Sequence, residues 1–440
     1  MLICADWVIV EATTSPVRAG AVRVVGNVID RVGPTIELAA AFPDDDLFDA
    51  SGCVVMPGFV NAHTHLYGVL AHGIPQTAPV TGFWSFLEDH WWPNVEDSLD
   101  RDMIAVATEW VCAEMLRTGT TTFYDILEAP YALPGVLIAQ AEVVERMGLR
   151  GVLSFEATER AGTRIAEAGL AENLAMIDHG RRPGSSGLVT GAMCYHTTFT
   201  CSETFIRRTF DLAADRAVFC HAHVNEGTHE GEWSQQHLGM RTIEFYESIG
   251  VLTADFLASQ CVQLSVREQA LLGERRVRVS HMPLANCEVG GGIAPIPELI
   301  AGGAIVGLGS DGYVNDFYEV MRGAFLVHKA RLLDPGVMPA ATVLGVATSG
   351  GAAALGLADT VGRLAPGMQA DLQIVDARFA TPVTDHNLFD QVVLWRNGSH
   401  VREVMVAGVW RVRSGEVLGF DTERLRARVH EQAERLWARA

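Results

Sequence analysis

Residues 54–65 read Val-Val-Met-Pro-Gly-Phe-Val-Asn-Ala-His-Thr-His, an apolar run that ends in two histidines. Because alternate residues of a β-strand face the same side, His63 and His65 are expected to project together from the end of one strand. Imidazole is a preferred ligand of zinc and similar divalent metals. Taken alone, this pair is equally compatible with two unrelated surface histidines.

Two further apolar runs end in residues of the same kind. Residues 219–226, Phe-Cys-His-Ala-His-Val-Asn-Glu, offer His221 and His223 at alternate positions and Glu226 three residues later. Residues 307–312, Gly-Leu-Gly-Ser-Asp-Gly, place Asp311 just after another run. A glutamate there can shuttle protons and an aspartate can ligate a metal, although a loop glutamate and an Asp-Gly turn are the ordinary alternatives. One shared site explains the three motifs better than three coincidences do.

The chain between its two ends alternates short β-type runs with amphipathic stretches of helical period. The candidate strands are 54–65, 119–125, 150–156, 187–196, 216–224, 258–262, 277–282 and 304–311. Eight strands alternating with helices predict an α/β fold, a (β/α)8 TIM barrel, whose active site lies at the carboxyl ends of the strands. The motifs above fall on the first, fifth and eighth strands, so three histidines and one aspartate are expected to converge.

Both chain ends consist of short β-type runs broken by turn residues. We therefore predict a small composite β-sandwich domain from residues 1–55 and 366–440, and a catalytic barrel from residues 56–365. The 440 residues suit a barrel of about 250 residues with an added domain.

Composition excludes several classes of partner. The formal net charge is -20 and no basic stripe offsets it, so we expect no nucleic-acid partner and no anionic membrane surface. No apolar stretch reaches the roughly 20 residues that a membrane helix needs. The eight scattered cysteines favour reduced thiols, and the N-terminus is typical of a strand rather than a signal peptide. These features together predict a cytoplasmic protein.

On these motifs the chain resembles the amidohydrolase superfamily, in its branch of chlorohydrolase-like and deaminase-like proteins, and within it the aminohydrolase group called SsnA. The matching stretches are MPGFVNAHTH, LRTGTTTFYD, HAHVNEGTHE, VSHMPLAN, GLGSDG and GRLAPGMQADLQIVD. The resemblance covers essentially the whole chain. It is specific for the superfamily and uninformative about the substrate.

The resemblance implies a set of site residues. His63, His65, His223 and Asp311 would hold one divalent metal per chain, Zn²⁺ or alternatively Fe²⁺, and Glu226 would move protons. His196 would contact the substrate, with a packed loop histidine as an equal alternative, and His281 would support the site, with structural packing equally compatible. A homo-oligomer, a dimer or larger, is also implied.

Some relatives use a carbamylated lysine on the fourth strand to bridge two metals. The only lysine of this chain is Lys329, which follows the eighth strand. Composition therefore excludes a carbamate-bridged pair of metals.

The sixth strand departs from the family pattern. Relatives carry a metal-site histidine where this chain has Gln260, and glutamine cannot accept a proton at neutral pH. Three interpretations follow: an active enzyme in which Glu226 and Asp311 carry out all proton transfer, a different reaction on the same scaffold, or a catalytically impaired binding protein. We favour the first, because the other site residues are all present, and we count Gln260 among the catalytic candidates.

The segment 72–92 is long, aromatic and irregular, which is typical of a lid or pocket wall. Gln76 and Trp84 are its candidate substrate contacts. We predict a metal-dependent aminohydrolase that uses a metal-activated water on a small molecule, an amino-substituted N-heterocycle of purine, pterin, pyrimidine or triazine type. The alternatives are a hydrolase with another leaving group (chloride, alkylamine or cyclic amide) and the impaired binding protein.

Overall fold

The computed structural model describes residues 1–76 and 79–439. The chain forms two compact units. Unit 1 comprises Met1–Asn61, Ala113–Thr122 and Asn315–Phe420, and unit 2 comprises Ala62–Cys112, Phe123–Val314 and the C-terminal segment from Asp421. Each unit therefore contains segments that are distant in the sequence.

Unit 1 contains an eight-stranded sheet built from both ends of the chain. Its strand order is β17-β16-β15-β14-β4-β1-β2-β3. The strands are β1 Leu2–Val8, β2 Val17–Val25, β3 Val28–Pro34, β4 Leu47–Pro57, β14 Leu372–Asp376, β15 Val401–Val406, β16 Val409–Arg413 and β17 Glu416–Val417. The amino-terminal half joins the carboxy-terminal half where β4 pairs antiparallel with β14. Apolar side chains such as Ile3, Val55 and Ile374 form a buried cluster on this sheet.

Nine short strands between these ends form two further sheets, with orders β5-β6-β7-β8 and β13-β12-β11-β10-β9. The strands are β5 Phe59–Thr64, β6 Thr120–Leu127, β7 Arg150–Phe155, β8 Val189–Gly191, β9 Met193–Cys194, β10 Cys220–Val224, β11 Phe256–Gln260, β12 Arg278–His281 and β13 Ile305–Leu308. Neighbours from β9 to β13 pair in parallel. Only Ala192 separates β8 from β9, so together they occupy the place of one predicted strand.

Helices connect these strands. The helices are α1 Thr35–Ala41, α2 Phe83–Phe86, α3 Trp92–Asn94, α4 Arg101–Arg117, α5 Val136–Met147, α6 Thr163–Gly180, α7 Glu203–Asp215, α8 Thr228–Leu238, α9 Thr242–Ser248, α10 Val266–Glu274, α11 Pro283–Glu288, α12 Ile296–Gly302, α13 Phe317–Leu332, α14 Ala340–Ala347, α15 Ser349–Ala354, α16 Leu388–Trp395 and α17 Thr422–Trp437. Local sequence sets several ends: the Ser265 side chain accepts a hydrogen bond from Glu268 N at the start of α10, and Gly148 ends α5 in a left-handed conformation.

The predicted alternation of strands and helices agrees with the structure, since each of the eight candidate strands overlaps an observed strand. The β-sandwich is not confirmed, because the terminal strands form one continuous sheet rather than two packed layers. The predicted boundaries at 55/56 and 365/366 stay a prediction. They differ from the two units because Ala113–Thr122 and Asn315–Phe420 group with unit 1.

Within the described ranges, no helix has the length and apolar character needed to cross a membrane. All eight cysteines are free thiols, as the scattered spacing predicts. Lys329 donates hydrogen bonds to the carbonyl oxygens of Pro335, Val337 and Met338.

The contact between α10 and α12 provides a test of the packing in unit 2. A Cβ added to Gly273 would lie 2.3 Å from the Gly302 carbonyl oxygen, whereas one added to Gly302 would meet Gly273 Cα at 3.8 Å. We therefore expect Gly273→Ala to lower the free energy of unfolding by about 1–3 kcal/mol, because the helices must separate. The matched control Gly302→Ala should be neutral or stabilising, and denaturant unfolding of both variants measures the difference. Equal stability of the two would contradict this packing.

Candidate functional site

Three strands bring the four predicted ligand residues together. His63 lies in β5 and His65 directly follows it, His223 lies in β10, and Asp311 is three residues beyond β13. One nitrogen or carboxylate oxygen from each of the four lies within 4.8 Å of the others. The geometry is that of a single site at the ends of the first, fifth and eighth strands.

Asp311 is the centre of this cluster. Its Oδ1 lies 2.9 Å from His63 Nε2 and 3.5 Å from His65 Nε2. His65 Nδ1 is 2.7 Å from the carbonyl oxygen of Ile126. Since a carbonyl only accepts, Nδ1 carries the proton and Nε2 presents its lone pair towards Asp311. This is the tautomer that a metal ligand requires.

The protonation states also fit a divalent metal. Burial lowers the pKa of His65 and of His223 to about 4 and lowers the pKa of His63, so the imidazoles are neutral at pH 7. Burial opposes ionisation of Asp311, but its hydrogen bond with His63 and the nearby His65 and His223 rings outweigh this effect and lower its pKa. Three neutral imidazoles and one carboxylate are a suitable donor set for Zn²⁺ or a similar ion.

The backbone holds the ends of β5 and β13 close together. The amides of Ser310 and Asp311 both donate to the carbonyl oxygen of His63, at 3.0 and 3.1 Å. A Cβ at Gly309 would lie 2.9 Å from the same oxygen, and one at Gly312 would lie 2.5 Å from the His65 oxygen. Glycine is therefore required on both sides of Asp311.

Several non-glycine residues at these strand ends adopt left-handed backbone conformations. The φ angles are 50° at Asn225, 70° at Gln260, 52° at Cys261 and 59° at Asp311. Such conformations are unfavourable for residues with a Cβ and cluster at functional sites. Here they occur where the fifth, sixth and eighth strands end.

Gln260 contacts Asp311 directly. Its Nε2 donates to Asp311 Oδ2 at 3.1 Å, and its Oε1 accepts a hydrogen bond from Asn286 Nδ2. Because the Asn286 amide nitrogen only donates, it orients the Gln260 side chain with its own amide group towards Asp311. Gln260 thus supplies a fixed, non-titrating donor at the position where the family resemblance implies a histidine.

Glu156 belongs to the site although the sequence analysis did not identify it. It directly follows β7 and is buried, and its Oε1 lies 2.6 Å from His223 Nδ1 and 3.9 Å from His196 Nε2. Burial raises its pKa to about 7, with His65 and Arg160 lowering the value in part. A carboxylate immediately after the third strand was the available signal, since Asp311 follows the eighth strand in a similar way.

Glu226 and Glu230 lie on the segment after β10. Burial raises the pKa of Glu226 well above its ordinary value, and Asp311, Glu156 and Glu230 raise it further. Glu230 accepts hydrogen bonds from Thr198 N at 3.2 Å, from Thr198 Oγ1 at 2.6 Å and from Asn225 N. It therefore fixes the backbone that carries Glu226.

These groups open into a cavity of about 540 Å³. The predicted contacts Gln76 and His196 line it, with Glu226, Gln260, Glu156 and Asp311. Trp84 is not among the described lining residues: it stacks on His229 with a centroid distance of 4.0 Å. His281 also lies outside the described lining, buried at the end of β12.

The segment 72–92 forms part of the wall, as a lid or wall segment was predicted to do. His72, Gly73, Ile74, Phe83, Phe86, Leu87, His90 and Trp91 from this segment line the cavity. Residues 77 and 78 of the segment lie outside the described residues.

Comparison with known proteins identifies the family and the fold. A model of the amidohydrolase family matches residues 54–411. The 5-methylthioadenosine/S-adenosylhomocysteine deaminase of Pelotomaculum thermopropionicum is 34% identical over 423 residues, which are 95% of this chain and 94% of the relative. The 5'-deoxyadenosine deaminase of Methanothermobacter thermautotrophicus is 34% identical over 408 residues, 91% of each chain.

Two solved structures are similar over nearly their whole length. An adenosine deaminase from Xanthomonas campestris with bound zinc has a TM-score of 0.87 at 26% identity, covering 99% of this chain and 98% of that one. The atrazine chlorohydrolase of Arthrobacter aurescens, complexed with zinc, has a TM-score of 0.84 at 23% identity, with 98% and 99% covered, and is a likeness of fold alone.

The metal site can be tested by replacing the two histidines of β10 one at a time. We expect His223→Gln to lose the divalent metal, because one of the four donors is removed, while His221→Gln retains about one metal per chain. His221 is outside the four-residue cluster, and its Nδ1 lies 3.3 Å from Cys194 Sγ. Elemental analysis of protein purified without chelator, with thermal melting to check folding, measures this. Metal retention in folded His223→Gln protein would refute the assignment.

Proposed function

The chain belongs to the amidohydrolase family, and on this premise we propose that it deaminates adenine nucleosides. It is a metal-dependent aminohydrolase that acts on carbon–nitrogen bonds of N-heterocyclic compounds. The observation that carries the adenine nucleoside is the similarity over nearly the whole chain to deaminases named for 5-methylthioadenosine, S-adenosylhomocysteine and 5'-deoxyadenosine. A cavity of about 540 Å³ with aromatic and carboxyl groups in its wall suits a ligand of that size.

We further propose that His63, His65, His223 and Asp311 hold one Zn²⁺, and that the eight strands close into a (β/α)8 barrel around the site. The bound zinc in the structure of the similar adenosine deaminase and the four clustered donors support the choice of metal. When bound, the metal supplies an activated water to the ring carbon that carries the amino group.

Glu226 is assigned the proton transfers. Its carboxyl group lies in the wall of the cavity, and burial raises its pKa, which favours the protonated form. The protonated carboxyl group donates to a ring nitrogen, and the resulting carboxylate accepts a proton from the attacking water and returns it to the leaving amino group. It then regains a proton from the new hydroxyl group as the keto group forms. The products are the keto-purine nucleoside and ammonia, so one water is consumed for each ammonia released.

His196 and Gln260 take supporting roles. His196 lies on the cavity wall, its Nδ1 is 2.9 Å from Thr200 Oγ1, and burial strongly lowers its pKa. It therefore presents a neutral imidazole to the substrate. Gln260 holds Asp311 through a hydrogen bond rather than through proton exchange.

The proposed proton transfers can be tested with two glutamates of the segment that follows β10. We expect Glu226→Gln to lower kcat for adenosine, 5'-deoxyadenosine or 5'-methylthioadenosine about 10²–10⁴-fold, since the amide cannot exchange the proton. Metal content should not change. The control Glu232→Gln makes the same substitution at an exposed position on α8 and should leave kcat unaltered.

Ammonia release and the absorbance change of the purine ring report the reaction. A panel of guanine, a pterin, cytosine and an amino-triazine serves for comparison. Metal-loaded protein that releases ammonia from one of these but from no adenine nucleoside would refute the proposed substrate. Full activity of Glu226→Gln would refute the proton-transfer assignment.

The arrangement of Gln260 generates a separate expectation. Removing its amide in Gln260→Leu leaves Asp311 Oδ2 without this donor, so activity and metal affinity should fall about 10–100-fold. Asn286→Ala should produce a smaller fall, and the double variant should lose less than the sum of the two effects because both act on one hydrogen-bonded chain.

Gln269→Leu on α10 is the matched control, because Gln269 bonds only to the backbone oxygen of Leu264 among the contacts described for its side chain. Metal dissociation constants and kcat are measured for all four variants. Additive effects of Gln260→Leu and Asn286→Ala would show that the two side chains act independently.

A further inference from the structure

The cavity wall is rich in carboxyl groups and poor in cations. Six acidic residues contribute to it: Glu96, Glu156, Glu226, Glu230, Glu288 and Asp311. Among the described residues that line the cavity there is no lysine and no arginine. A ligand in this cavity therefore meets several acidic groups and no cationic side chain from the described wall.

Arg160 is close to the site, but its charge is already engaged. Its guanidinium group donates to Glu128 Oε1 at 2.6 Å and to Glu96 Oε2 at 3.2 Å, and lies 2.9 Å from Asp97 Oδ1. One face is also covered by Trp92, at 4.9 Å from the ring centroid. All three side-chain nitrogens of Arg160 thus contact acidic residues, and Arg160 is not among the described residues that line the cavity.

Much of the remaining wall is aromatic or aliphatic. Phe83, Phe86, Trp91, Phe199 and Tyr313 contribute to it. Side chains of this kind favour an uncharged or weakly hydrated group, and an aromatic face also attracts a cation. They provide nothing that replaces the hydration of an anion.

A cation at the reacting end of the substrate does not compensate the charge of an anionic tail. In an adenine nucleoside the amino group and the 5' substituent lie at opposite ends of the molecule, so a cation beside the amino group does not reach the tail. A phosphate or carboxylate on the tail loses hydration on entry and finds no compensating cation on the described wall. Carboxyl groups that are ionised repel it, and protonated ones supply no charge.

We propose that this cavity selects adenine nucleosides whose 5' substituent is neutral or cationic, and rejects those whose 5' substituent carries a phosphate or a carboxylate. This inference rests on the proposed function and narrows its substrate class. The name shared by several relatives joins 5-methylthioadenosine, which is neutral, with S-adenosylhomocysteine, whose tail carries a carboxylate. For this chain the proposal separates the two.

Matched substrates isolate the charge of the tail. The first pair is 5'-deoxyadenosine and adenosine 5'-monophosphate. The second is S-adenosylhomocysteine and its decarboxylated analogue 5'-(3-aminopropylthio)-5'-deoxyadenosine, which keeps the ammonium group and lacks the carboxylate. In each pair we expect kcat/KM of the anion-bearing member to be lower by about a hundredfold or more, because its charge is buried without a partner.

A charge reversal on the wall tests the cause. Glu288 is an exposed acidic residue that lines the cavity, and Glu288→Lys places a cation there. The ratio of kcat/KM for the monophosphate to that for 5'-deoxyadenosine should rise at least several-fold in this variant. The control Glu431→Lys makes the same change in net charge at an exposed position on α17 and should leave the ratio unchanged.

The outcomes distinguish this inference from the proposed function. Equal kcat/KM within both pairs, or a ratio that Glu431→Lys raises as much as Glu288→Lys does, would overturn the charge selection and leave adenine nucleoside deamination in place. If no adenine nucleoside is deaminated, the proposed function fails.

In that case, calorimetric measurement of adenosine and adenosine monophosphate binding to Glu226→Gln protein tests the charge selection independently of catalysis. Tighter binding of adenosine supports it. Equal affinity, tighter binding of the monophosphate, or no binding of either overturns it.

Discussion

The contacts of the Asp311 carboxylate are the interactions on which the site depends. The carboxylate lies 2.9 Å from His63 Nε2 and 3.5 Å from His65 Nε2, and Gln260 donates to its other oxygen at 3.1 Å. A charge removed from water in this way is stable only when several groups compensate it at once. The close backbone approach at Gly309 and Gly312 and the left-handed conformation of Asp311 itself are the structural consequences of placing the carboxylate there.

More acidic side chains lie near Asp311 than its own contacts account for. Glu96, Glu128 and Glu156 each have an oxygen within 4.8 Å of the others, and burial raises the pKa of all three. Burying these carboxyl groups lowers the free energy of unfolding, which apolar side chains in the same place would not do. The fold therefore keeps this group of carboxyl groups beside the cavity at the expense of stability. A divalent cation held by the proposed set of His63, His65, His223 and Asp311 would offset part of that excess charge. The same excess also determines which ligands can enter.

The sequence predicts most of the fold because hydrophobic periodicity is local. Each of the eight candidate strands overlaps an observed one, and the two His-x-His motifs and Asp311 identify three of the strand ends that meet. Glu156 and Asn286 were missed as site residues because their importance comes from His223 and Gln260, which are distant in sequence. Trp84 shows the opposite limit: an aromatic residue in a wall segment is easily recognised, but whether it faces the cavity or stacks on His229 depends on the packing of α2 and α8. The homo-oligomer and the cytoplasmic location stay predictions.

Gln260 is the point at which sequence and structure together change the interpretation. From the sequence, glutamine in place of the family's histidine leaves an impaired protein as one of three alternatives. In the structure the Gln260 side chain is oriented by Asn286 and donates a hydrogen bond to Asp311. Its backbone also has a left-handed conformation, which is unfavourable for a residue with a Cβ and is common at functional sites. A histidine at this position can donate a hydrogen bond and also exchange a proton, whereas the glutamine amide can donate a hydrogen bond but cannot exchange a proton at neutral pH. The substitution therefore keeps the positioning of Asp311 and removes one titrating group, which leaves the proposed proton transfers to Glu226, a carboxyl group of the cavity wall whose pKa burial raises.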